Sequence, residues 1–329
     1  MTAFEKTVEA LRKAERVAIF CHTRPDPDTL GSGIALREAL ISSGKEADIY
    51  CDTTLMGRLS FLSGYENIST EFRGKYDLHI ALDCGDRLRL GELGGVFFRC
   101  KNNFNVDHHY LTNDNFAAVN WVENRASAAQ MTYDIIKALG AEITDNIASA
   151  IMSGIVTDTN AFTNTNTDKA VLTTAAELIG RVNINFINFR LRRNTSYRRI
   201  KLLGRALNGI RLYSGGKIAV MTVRERDLEE EGAVFADTDG FADNILDIDG
   251  IKAAVCISES SKNTFKIGMR GKDGTDVCAV CRFFGGGGHK VAAGCTICGF
   301  YEDVIDRILR AFDIELGFGR LRPRKSRIS

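Results

Sequence analysis

The sequence lacks the features that place a chain in a membrane or in the oxidising exterior of a cell. No run of 18 apolar residues occurs among its 329 residues, so no segment is long enough to cross a bilayer as a helix. The first residues are polar and acidic, where a signal peptide needs an apolar stretch. Nine cysteines, an odd number without a disulfide-scaffold pattern, are typical of reduced thiols. These absences predict a cytoplasmic protein without a membrane partner.

The chain also lacks an excess of charge of either sign. Its 43 Lys and Arg side chains are balanced by 42 Asp and Glu side chains, which gives a net charge of +1. Proteins that bind long duplexes usually carry a basic surplus, because their affinity comes from neutralising many phosphates. The balance therefore favours a small or short anionic substrate held in one pocket. Two local basic segments, 190–201 and 320–327, are at least as well explained by a solvated helix face and a frayed terminus.

Proline is scarce, and its distribution helps to divide the chain. Only three prolines occur, none of them between residues 167 and 212, where the pattern is almost wholly helical. Before this stretch, apolar runs alternate with amphipathic helices, which predicts parallel βαβ units in a doubly wound sheet. After residue 216, strands return in a smaller mixed arrangement. We therefore predict an α/β protein with a doubly wound parallel sheet domain at 1–190, a helical connector at 191–214, a smaller mixed α/β domain at 215–318 and a basic tail at 319–329.

Apolar runs and helical spacing locate the individual elements. The predicted strands are 17–21, 47–51, 78–82 and 104–106 in the first domain, and 217–222, 252–258, 264–270 and 294–300 in the second. The predicted helices are 30–43, 126–139 and 143–155 in the first domain, and 241–248, 276–284 and 301–312 in the second.

Four short segments place side chains that can bind metal ions directly after apolar runs. In parallel α/β sheets, ligands bind at the carboxyl ends of the strands. The first segment, 22–32, carries two carboxylates one residue apart in a turn that two of the three prolines stiffen. Its Gly31-Ser32 pair opens the next helix, where backbone amides could meet an anion. The candidates in the four segments are His22, Asp26 and Asp28, then Asp83 with Arg87, then Asp107, His108 and His109, and last Asp158.

The residue types in these segments favour particular metals. A single strand-end aspartate is more often a helix cap or a turn former, and a single histidine is usually structural. Four of the five histidines, however, fall in these segments or in the glycine run described next. Carboxylates mixed with imidazoles suit Mn²⁺, with Mg²⁺ as the alternative, better than thiolate-binding Zn²⁺. The combination predicts a manganese site.

A run of four glycines ends at Gly288 and is followed by His289 and Lys290. Without Cβ atoms, backbone amides can approach a ligand closely and form a nest for phosphate oxygens. Taken alone, the run is better explained as a flexible loop. Because His-Lys and a small Ala-Ala-Gly sequence follow it, we predict a binding surface.

The cysteine pairs Cys278-x-x-Cys281 and Cys295-x-x-Cys298 approach the spacing of a zinc ribbon. The first pair lies in a predicted helix, which puts both thiols on one face. The second pair lies in a predicted strand, where residues three apart point to opposite faces. Four thiolates would not converge in this arrangement, so we interpret these cysteines as small structural side chains.

Together and in this order, the motifs resemble the DHH phosphoesterase family with its DHH-associated C-terminal domain. The likeness runs from residue 1 to residue 318 and is greatest to the branch of oligoribonucleases (nanoRNases) and phosphatases of 3′,5′-bisphosphorylated adenosine. It rests on segment 22–32, Asp83, Asp107-His108-His109, Asp158-Thr159 and the glycine–histidine run. Two positions depart from the usual pattern: Pro27 replaces a glycine, and Gly268-Met269-Arg270 replaces Ser-Leu-Arg.

The resemblance implies a role for each candidate. One of two metal ions would be held by His22, Asp26 and Asp83, and the other by Asp28, Asp83, His108 and Asp158, with Asp83 bridging them. Asp107 would orient its neighbours, and His109 would contact the scissile phosphate; these two residues, with Asp83, His108 and Asp158, would be the catalytic residues. The residues that would bind the rest of the nucleotide are Arg270, Gly286, Gly287, Gly288 and His289, with Arg87 as a further candidate in the first domain.

We therefore expect hydrolysis of phosphate esters by a metal-activated water, in short oligonucleotides and in 3′-phosphoadenosine 5′-phosphate, without a serine or cysteine nucleophile. Two alternative activities are found in proteins with the same catalytic core. A phosphodiesterase for cyclic or linear dinucleotides would typically carry sensory segments ahead of the core, and a RecJ-like single-strand exonuclease would carry extra domains and a basic channel. A non-enzymatic nucleotide sensor would need an incomplete site, whereas every motif is present. The sequence leaves open whether the protein forms a homodimer.

Overall fold

The computed structural model describes residues 1–52, 59–110, 113–193, 195–272 and 274–317. The chain forms two compact units, Met1–Asn194 and Thr195–Ser329, and the division falls inside the stretch predicted as a connector. The basic tail predicted at 319–329 lies outside the described residues. Within those residues, no helix is both long and apolar enough to cross a membrane.

The first unit is built around a six-stranded sheet in which all paired strands are parallel, so the predicted doubly wound α/β domain is confirmed. Its strands are β1 (Arg16–Cys21), β2 (Glu46–Tyr50), β3 (Ile68–Ser69), β4 (Leu78–Leu82), β5 (Asn103–Asp107) and β6 (Val119–Val122). Its α-helices are α1 (Ala3–Lys13), α2 (Pro27–Ser42), α3 (Gly94–Phe97), α4 (Ala128–Leu139), α5 (Asp145–Asp158), α6 (Lys169–Leu178) and α7 (Ile184–Asn188). Further helical segments are the 3₁₀ stretches Tyr65–Asn67 and Arg87–Leu93 and the π-helical stretch Phe189–Arg193.

The strand order β3-β2-β1-β4-β5-β6 determines where this sheet can bind a ligand. From β1 the chain builds outward through β2 and β3, then returns to the other side of β1 and builds outward again through β4, β5 and β6. The direction therefore reverses between β1 and β4. In open parallel sheets, the crevice at such a switch point, outside the carboxyl ends of the strands, is the usual binding site.

The central strands are apolar because helices cover both faces of the sheet. Strands β4 and β5 are buried along their whole length. On one face, Val17 and Ile19 of β1 belong to the core that includes α2, α4 and α5. On the other face, Phe20 packs in a smaller, largely aromatic cluster with Tyr50 and Phe97.

Helices α2, α4 and α5 approach one another closely because glycines lie at their contacts. A Cβ atom on Gly31 of α2 would collide with the carbonyl oxygen of Ala150 in α5. A Cβ atom on Gly154 of α5 would lie 2.5 Å from both Ala129 Cβ of α4 and Asp28 Oδ1 of α2. Real side chains do not approach so closely. The two glycines thus allow Asp28 to lie between α4 and α5.

The second unit holds a mixed six-stranded sheet with the order β11-β12-β10-β9-β8-β7, in which only β8 and β9 pair in parallel. Its strands are β7 (Arg211–Tyr213), β8 (Ile218–Val223), β9 (Ala253–Ser261), β10 (Thr264–Gly271), β11 (Gly287–His289) and β12 (Ala292–Cys298). Its α-helices are α8 (Tyr197–Asn208), α9 (Glu225–Glu230), α10 (Val277–Arg282) and α11 (Tyr301–Leu316). Three 3₁₀ stretches are Ser214–Gly216, Phe235–Thr238 and Phe241–Ile245.

One predicted helix of this unit is shorter and of another type. The stretch 241–248 is a 3₁₀ helix that covers only Phe241–Ile245 and follows Gly240, whose φ of 76° ends the preceding turn.

The basic segment predicted at 190–201 reaches into the start of the second unit, where its arginines make specific contacts. Arg198 pairs with Asp237 at 2.9 Å, and Arg199 donates to the carbonyl oxygen of Asp239 at 2.7 Å. The arginines of α8 therefore contact acidic residues of their own unit, rather than forming an open basic surface.

Candidate metal centre

The switch point of the first sheet brings three of the four predicted segments together. In the register of the sheet, Cys21 pairs with Leu82, and Leu82 pairs with Val106. His22 and Asp83 directly follow β1 and β4, and Asp107 is the last residue of β5. These three side chains thus start from one edge of the sheet, as the strand-end argument predicts.

The first cluster consists of His22, Asp26 and Asp83, whose ligand atoms lie within 4.8 Å of one another. Nε2 of His22 is 3.6 Å from Asp26 Oδ2 and 3.3 Å from Asp83 Oδ2. Nδ1 of His22 lies 2.8 Å from the carbonyl oxygen of Thr23, which only accepts, so Nδ1 carries the proton and Nε2 faces the carboxylates. The other oxygen of Asp26 caps helix α2, accepting from the backbone of Asp28 at 2.9 Å and of Thr29 at 3.2 Å.

The second cluster consists of Asp28, His108 and Asp158, again within 4.8 Å. Nε2 of His108 is 3.8 Å from Asp28 Oδ2 and 3.2 Å from Asp158 Oδ2. Asp28 is fully buried, and its two oxygens accept from the backbone amides of Ala128 and Ala129 at 2.7 and 2.9 Å. The N-terminus of α4 therefore orients this carboxylate and stabilises its negative charge.

Asp83 connects the two clusters. Its Oδ2 faces His22, while its Oδ1 lies 3.2 Å from Nε2 of His108. Its backbone has a φ of 62°, in the left-handed region that residues other than glycine rarely adopt. Its amide donates to Val106 at 2.9 Å, which helps to hold this conformation. The unusual backbone lets one carboxylate present one oxygen to each cluster.

Asp107 and His109 form a third group beside Asp83. Oδ1 of Asp107 is 2.7 Å from Nδ1 of His109, and its Oδ2 accepts from the backbone amide of His109 at 3.1 Å. Asp107 is fully buried, whereas the His109 side chain is 18% exposed. This arrangement suits a carboxylate that orients an imidazole.

Burial and mutual repulsion perturb the charges of these clusters. Burial, followed by the negative charge of Asp83, raises the pKa of Asp28 to about 8. Burial and Asp28 likewise raise the pKa of Asp158 well above its ordinary value. Burial alone would lower the pKa of His22, but its contacts with Asp26 and then Asp83 raise it to about 10. Carboxylates this close are stabilised by added positive charge.

The donor set fits divalent cations. Nε2 of His22 and Oδ1 of Asp83 are buried, and neither makes a hydrogen bond of good geometry within the described residues. Buried polar atoms without hydrogen bonds are rare in folded proteins unless an ion or water satisfies them. Carboxylate oxygens and imidazole nitrogens together are ligands for Mn²⁺, and the carboxylates for Mg²⁺. All the residues predicted as metal ligands lie in the two clusters.

The residues predicted to bind substrate are placed differently. Arg87 is exposed at the start of the 3₁₀ helix Arg87–Leu93. Arg270 of β10 donates from Nε and Nη2 to the two oxygens of Asp243, at 2.6 and 3.3 Å. His289 ends β11 and is exposed. Arg270 is thus oriented by a carboxylate of its own unit.

The second half of the glycine run belongs to a paired strand. Residues 287–289 pair with β12. A Cβ atom on Gly286 would collide with Gly294, and one on Gly288 would lie 2.5 Å from the carbonyl oxygen of Ala292. A Cβ atom on Gly287 would meet open space. Two of the glycines are therefore explained by close strand packing, and Gly287 leaves its backbone accessible.

The four cysteines with zinc-ribbon spacing do not converge. Cys278, Cys281 and Cys295 are buried, whereas Cys298 is exposed at the end of β12. The contact with Cys295, followed by burial, raises the pKa of the Cys281 thiol, which disfavours a metal-binding thiolate. Within the part of the chain that the structure describes, no metal-competent cluster contains a cysteine.

Sequence patterns did not indicate several residues that shape the centre. Thr29 donates to the carbonyl oxygen of Leu82 at 2.8 Å and so ties the start of α2 to the end of β4. The amides of Ala128 and Ala129 come from a helix 100 residues away from Asp28 along the chain. Asn113 donates to Asp107 at 2.7 Å. The signal for Thr29 was its place inside segment 22–32, whereas a helix N-terminus and an isolated asparagine carry no distinctive spacing.

Comparison with known proteins gives a consistent set of relatives. Residues 16–155 match the DHH family, N-terminal domain, and residues 215–316 match the DHHA1 domain. The chain is 32% identical over 315 residues to the bifunctional oligoribonuclease and PAP phosphatase NrnA of Thermus thermophilus, covering 94% of this chain and 93% of that protein. It is 28% identical over 304 residues to the protein of the same name from Bacillus subtilis, covering 90% and 93%. The crystal structure of an exopolyphosphatase-related protein from Bacteroides fragilis has the same fold, with a TM-score of 0.88 at 21% identity and coverage of 95% and 96%.

Proposed function

The chain belongs to the DHH family, and from this premise we propose that it hydrolyses phosphate esters of short nucleotides with two divalent metal ions. The observation that carries the proposal is the position of Asp83 between two clusters of ligands. One of its oxygens faces His22 at 3.3 Å and the other faces His108 at 3.2 Å. A carboxylate shared in this way suits a site for two adjacent metal ions.

The first cluster would hold one ion and the second cluster the other, with Asp83 common to both. When bound, two divalent ions supply the positive charge that activates a water molecule and stabilises charge on the phosphate oxygens. The protein's own side chains fix the geometry. Helix α4 orients Asp28 through two amides, and Asp107 holds the proton of His109 on Nδ1, which leaves Nε2 to contact the phosphate. Mn²⁺ is the preferred ion, because imidazoles accompany the carboxylates.

The substrate class follows from the relatives and from charge. The names of the Thermus and Bacillus proteins describe an oligoribonuclease and PAP phosphatase activity. The balanced charge of this chain supports a short anionic substrate over a long duplex. Its nine cysteines, an odd number without a disulfide-scaffold pattern, support a cytoplasmic location. The proposed substrates are oligoribonucleotides of two to five residues and 3′,5′-bisphosphorylated adenosine, gripped in the second unit by Arg270 and the 286–289 segment.

A substrate panel tests this proposal. Purified protein with Mn²⁺, and separately with Mg²⁺, is incubated with a labelled dinucleotide, a five-nucleotide RNA, a 24-nucleotide RNA, bisphosphorylated adenosine and cyclic di-AMP. We expect mononucleotides from the short RNAs and AMP from bisphosphorylated adenosine. Preference for the 24-nucleotide RNA would favour a RecJ-like exonuclease, and preference for cyclic di-AMP would favour a cyclic-dinucleotide phosphodiesterase.

The matched variant in this panel is Asp83→Ala. Because this carboxylate faces both clusters, its loss should reduce hydrolysis of every substrate to less than about a tenth of the wild-type rate. Retention of more than this activity with Mn²⁺ would contradict the bridging role. Binding of nucleotides without hydrolysis by the wild-type protein would instead indicate a sensor.

A further inference from the structure

Two asparagines outside every motif hold the backbone that follows Asp83. Nδ2 of Asn105 donates to the carbonyl oxygen of Cys84 at 3.0 Å, and Nδ2 of Asn113 donates to the same oxygen at 3.2 Å. Cys84 directly follows Asp83, whose left-handed backbone needs support from its surroundings. Asn105 is fully buried in β5, and Asn113 is half-buried after that strand. The two amides therefore fix the peptide next to the shared carboxylate.

Asn113 makes a second contact that Asn105 does not make. Its Nδ2 also donates to Oδ2 of Asp107 at 2.7 Å. Its own Oδ1 accepts from the backbone amide of Asn115 at 2.7 Å, and its backbone amide donates to the carbonyl oxygen of His109 at 2.9 Å. Both ends of the side chain are thus held, and the NH₂ group must face the two acceptors, because a carbonyl and a carboxylate cannot donate.

Asp107, held by Asn113, in turn orients the imidazole of His109. Its Oδ1 lies 2.7 Å from Nδ1 of His109, so that the proton sits on Nδ1. The same Nδ1 atom lies 3.6 Å from Oδ1 of Asp83. If Asp107 rotated away, Asp83 would be the nearest carboxylate to which this N–H could donate. The oxygen that faces the second cluster would then be engaged by a histidine.

We infer that Asn113 is a positioning residue: by holding Asp107, it keeps His109 in its Nδ1-protonated form, with this N–H directed at Asp107 rather than at Asp83. The inference rests on the proposed function, in which His109 contacts the phosphate and Asp83 serves the metal ions. It extends that function to a residue whose side chain belongs to neither cluster. The side chain of Asn113 reaches the imidazole of His109 through Asp107, and it shares its other contact, with Cys84, with Asn105.

A double-mutant cycle tests the chain of contacts in the manganese-loaded protein. Asn113→Ala should lower kcat on the short substrates by about 10- to 100-fold, as loss of outer-shell partners of a metal site typically does, with KM changed far less. In a His109→Ala background, Asn113→Ala should lower kcat by no more than about threefold, because the group it positions is already gone. A full multiplicative loss in the double variant would overturn the inference.

Two other asparagines supply matched controls. Asn105→Ala removes a contact with Cys84 but none with Asp107, so its loss should multiply with that of His109→Ala. The side chain of Asn103, at the opposite end of β5, bonds to the loops around Cys100 and Ala118, and Asn103→Ala should leave kcat unchanged. These controls separate an effect on His109 from a general weakening of the strand.

A measurement without catalysis separates this inference from the proposed function. Nitrogen-15 NMR of the histidine side chains in metal-free protein at about pH 9, where an ordinary imidazole is neutral, reports which nitrogen carries the proton. His109, assigned by its absence in His109→Gln, should be Nδ1-protonated in the wild type. In Asn113→Ala its Nδ1 resonance should change, because the N–H turns toward Asp83 or the proton moves to Nε2. An unchanged Nδ1 resonance would contradict the inference even if the enzyme is active. A protein that hydrolyses nothing would refute the proposed function alone, since the tautomer can still be read.

Discussion

At the scale of single residues, the shifted pKa values of the metal ligands favour bound protons when no metal ion is present. Burial and Asp83 raise the pKa of Asp28 to about 8, and the carboxylates around His22 raise its pKa to about 10 against the effect of burial. In an unfolded chain the ordinary pKa values are about 3.9 for aspartate and about 6.5 for histidine. Both groups therefore bind a proton more tightly in the folded, metal-free protein than in the unfolded chain.

These shifts predict how the stability of the metal-free protein depends on pH. The contribution of His22 is fully present below about pH 6.5 and is lost as the pH rises through about 10, and that of Asp28 is lost between about pH 4 and about 8. The melting temperature should thus fall between about pH 7 and about pH 10. Mn²⁺ should weaken this dependence, because the ion replaces the protons.

Circular dichroism melts at several pH values, in chelator and in Mn²⁺, measure this effect. Calorimetric titration with Mn²⁺ near neutral pH, in buffers of different ionisation enthalpy, should also detect released protons. A metal-free protein whose melting temperature rises over this range would contradict the arrangement of charges.

At the scale of helices and strands, the centre depends on close packing around Asp28. Gly154 of α5 has no room for a Cβ atom beside Ala129 and Asp28, whereas Gly95 of α3 is exposed and has none of its neighbours within 4 Å of such an atom. The two positions are both helical and both lie in the first unit. They form a matched pair for testing whether helix packing positions the second cluster.

We expect Gly154→Ala to destabilise the first unit by about 1–3 kcal/mol, because the added methyl group overpacks the contact between α4 and α5. Gly95→Ala should be neutral or stabilise by up to about 1 kcal/mol, since alanine favours helix over glycine. Urea unfolding monitored at Trp121, which lies in β6, reports on this unit. Gly154→Ala should also weaken Mn²⁺ binding by displacing Asp28. Equal stability and metal affinity in the two variants would refute this view of the packing.

The elements that sequence could predict are the ones with strong local signals. Strand 78–82 is observed with the predicted bounds, and the other central strands agree within a few residues, because buried parallel strands are rich in apolar residues. The short edge strands β3 and β6 were missed, since strands of two and four partly exposed residues leave no apolar run. Helix α1 was also missed, although Thr2 and Glu5 form a capping box at its start.

Within the metal centre, too, the strand-end positions could be predicted from the sequence, whereas the contacts that orient the side chains could not. Strand-end positions brought His22, Asp83 and Asp107 to one edge of the sheet, which alternation of strands and helices could predict. The bonds that orient them come from residues distant in sequence, such as the α4 amides that bind Asp28, or from single side chains such as Asn113. These contacts leave no periodic pattern in the sequence. The left-handed backbone of Asp83 was likewise not predictable, because aspartate rarely adopts it.

At the scale of the whole molecule, the two units have different tasks in the proposed function. The first unit contains every proposed metal ligand, and the second contains Arg270 and His289. Short substrates offer few contacts, so the binding energy of a second unit would contribute strongly to their turnover. A generic activated ester, bis-p-nitrophenyl phosphate, lacks the far phosphate and base that the second unit would grip.

This division predicts substrate-dependent effects of variants in the second unit. His289→Ala and Arg270→Ala should leave the manganese content unchanged and lower kcat/KM on dinucleotides and bisphosphorylated adenosine at least about tenfold, with a much smaller loss on bis-p-nitrophenyl phosphate. Arg205→Ala, which removes an arginine paired with Glu231 in the same unit, is the control. Equal losses on all substrates, or loss of metal, would assign these residues to the catalytic centre itself.

In the proposed function Asp83 joins two metal ions in one centre, which electron paramagnetic resonance of the manganese-loaded protein can detect. Two Mn²⁺ ions that share a ligand are exchange-coupled, so their spectrum differs from the six-line signal of an isolated ion. We expect the wild-type protein to show the coupled spectrum at about two ions per chain. The Asp83→Ala variant should lose the coupling and bind no more than about one ion per chain. A six-line signal from the wild-type protein at every loading, or a coupled spectrum that survives in Asp83→Ala, would contradict the account.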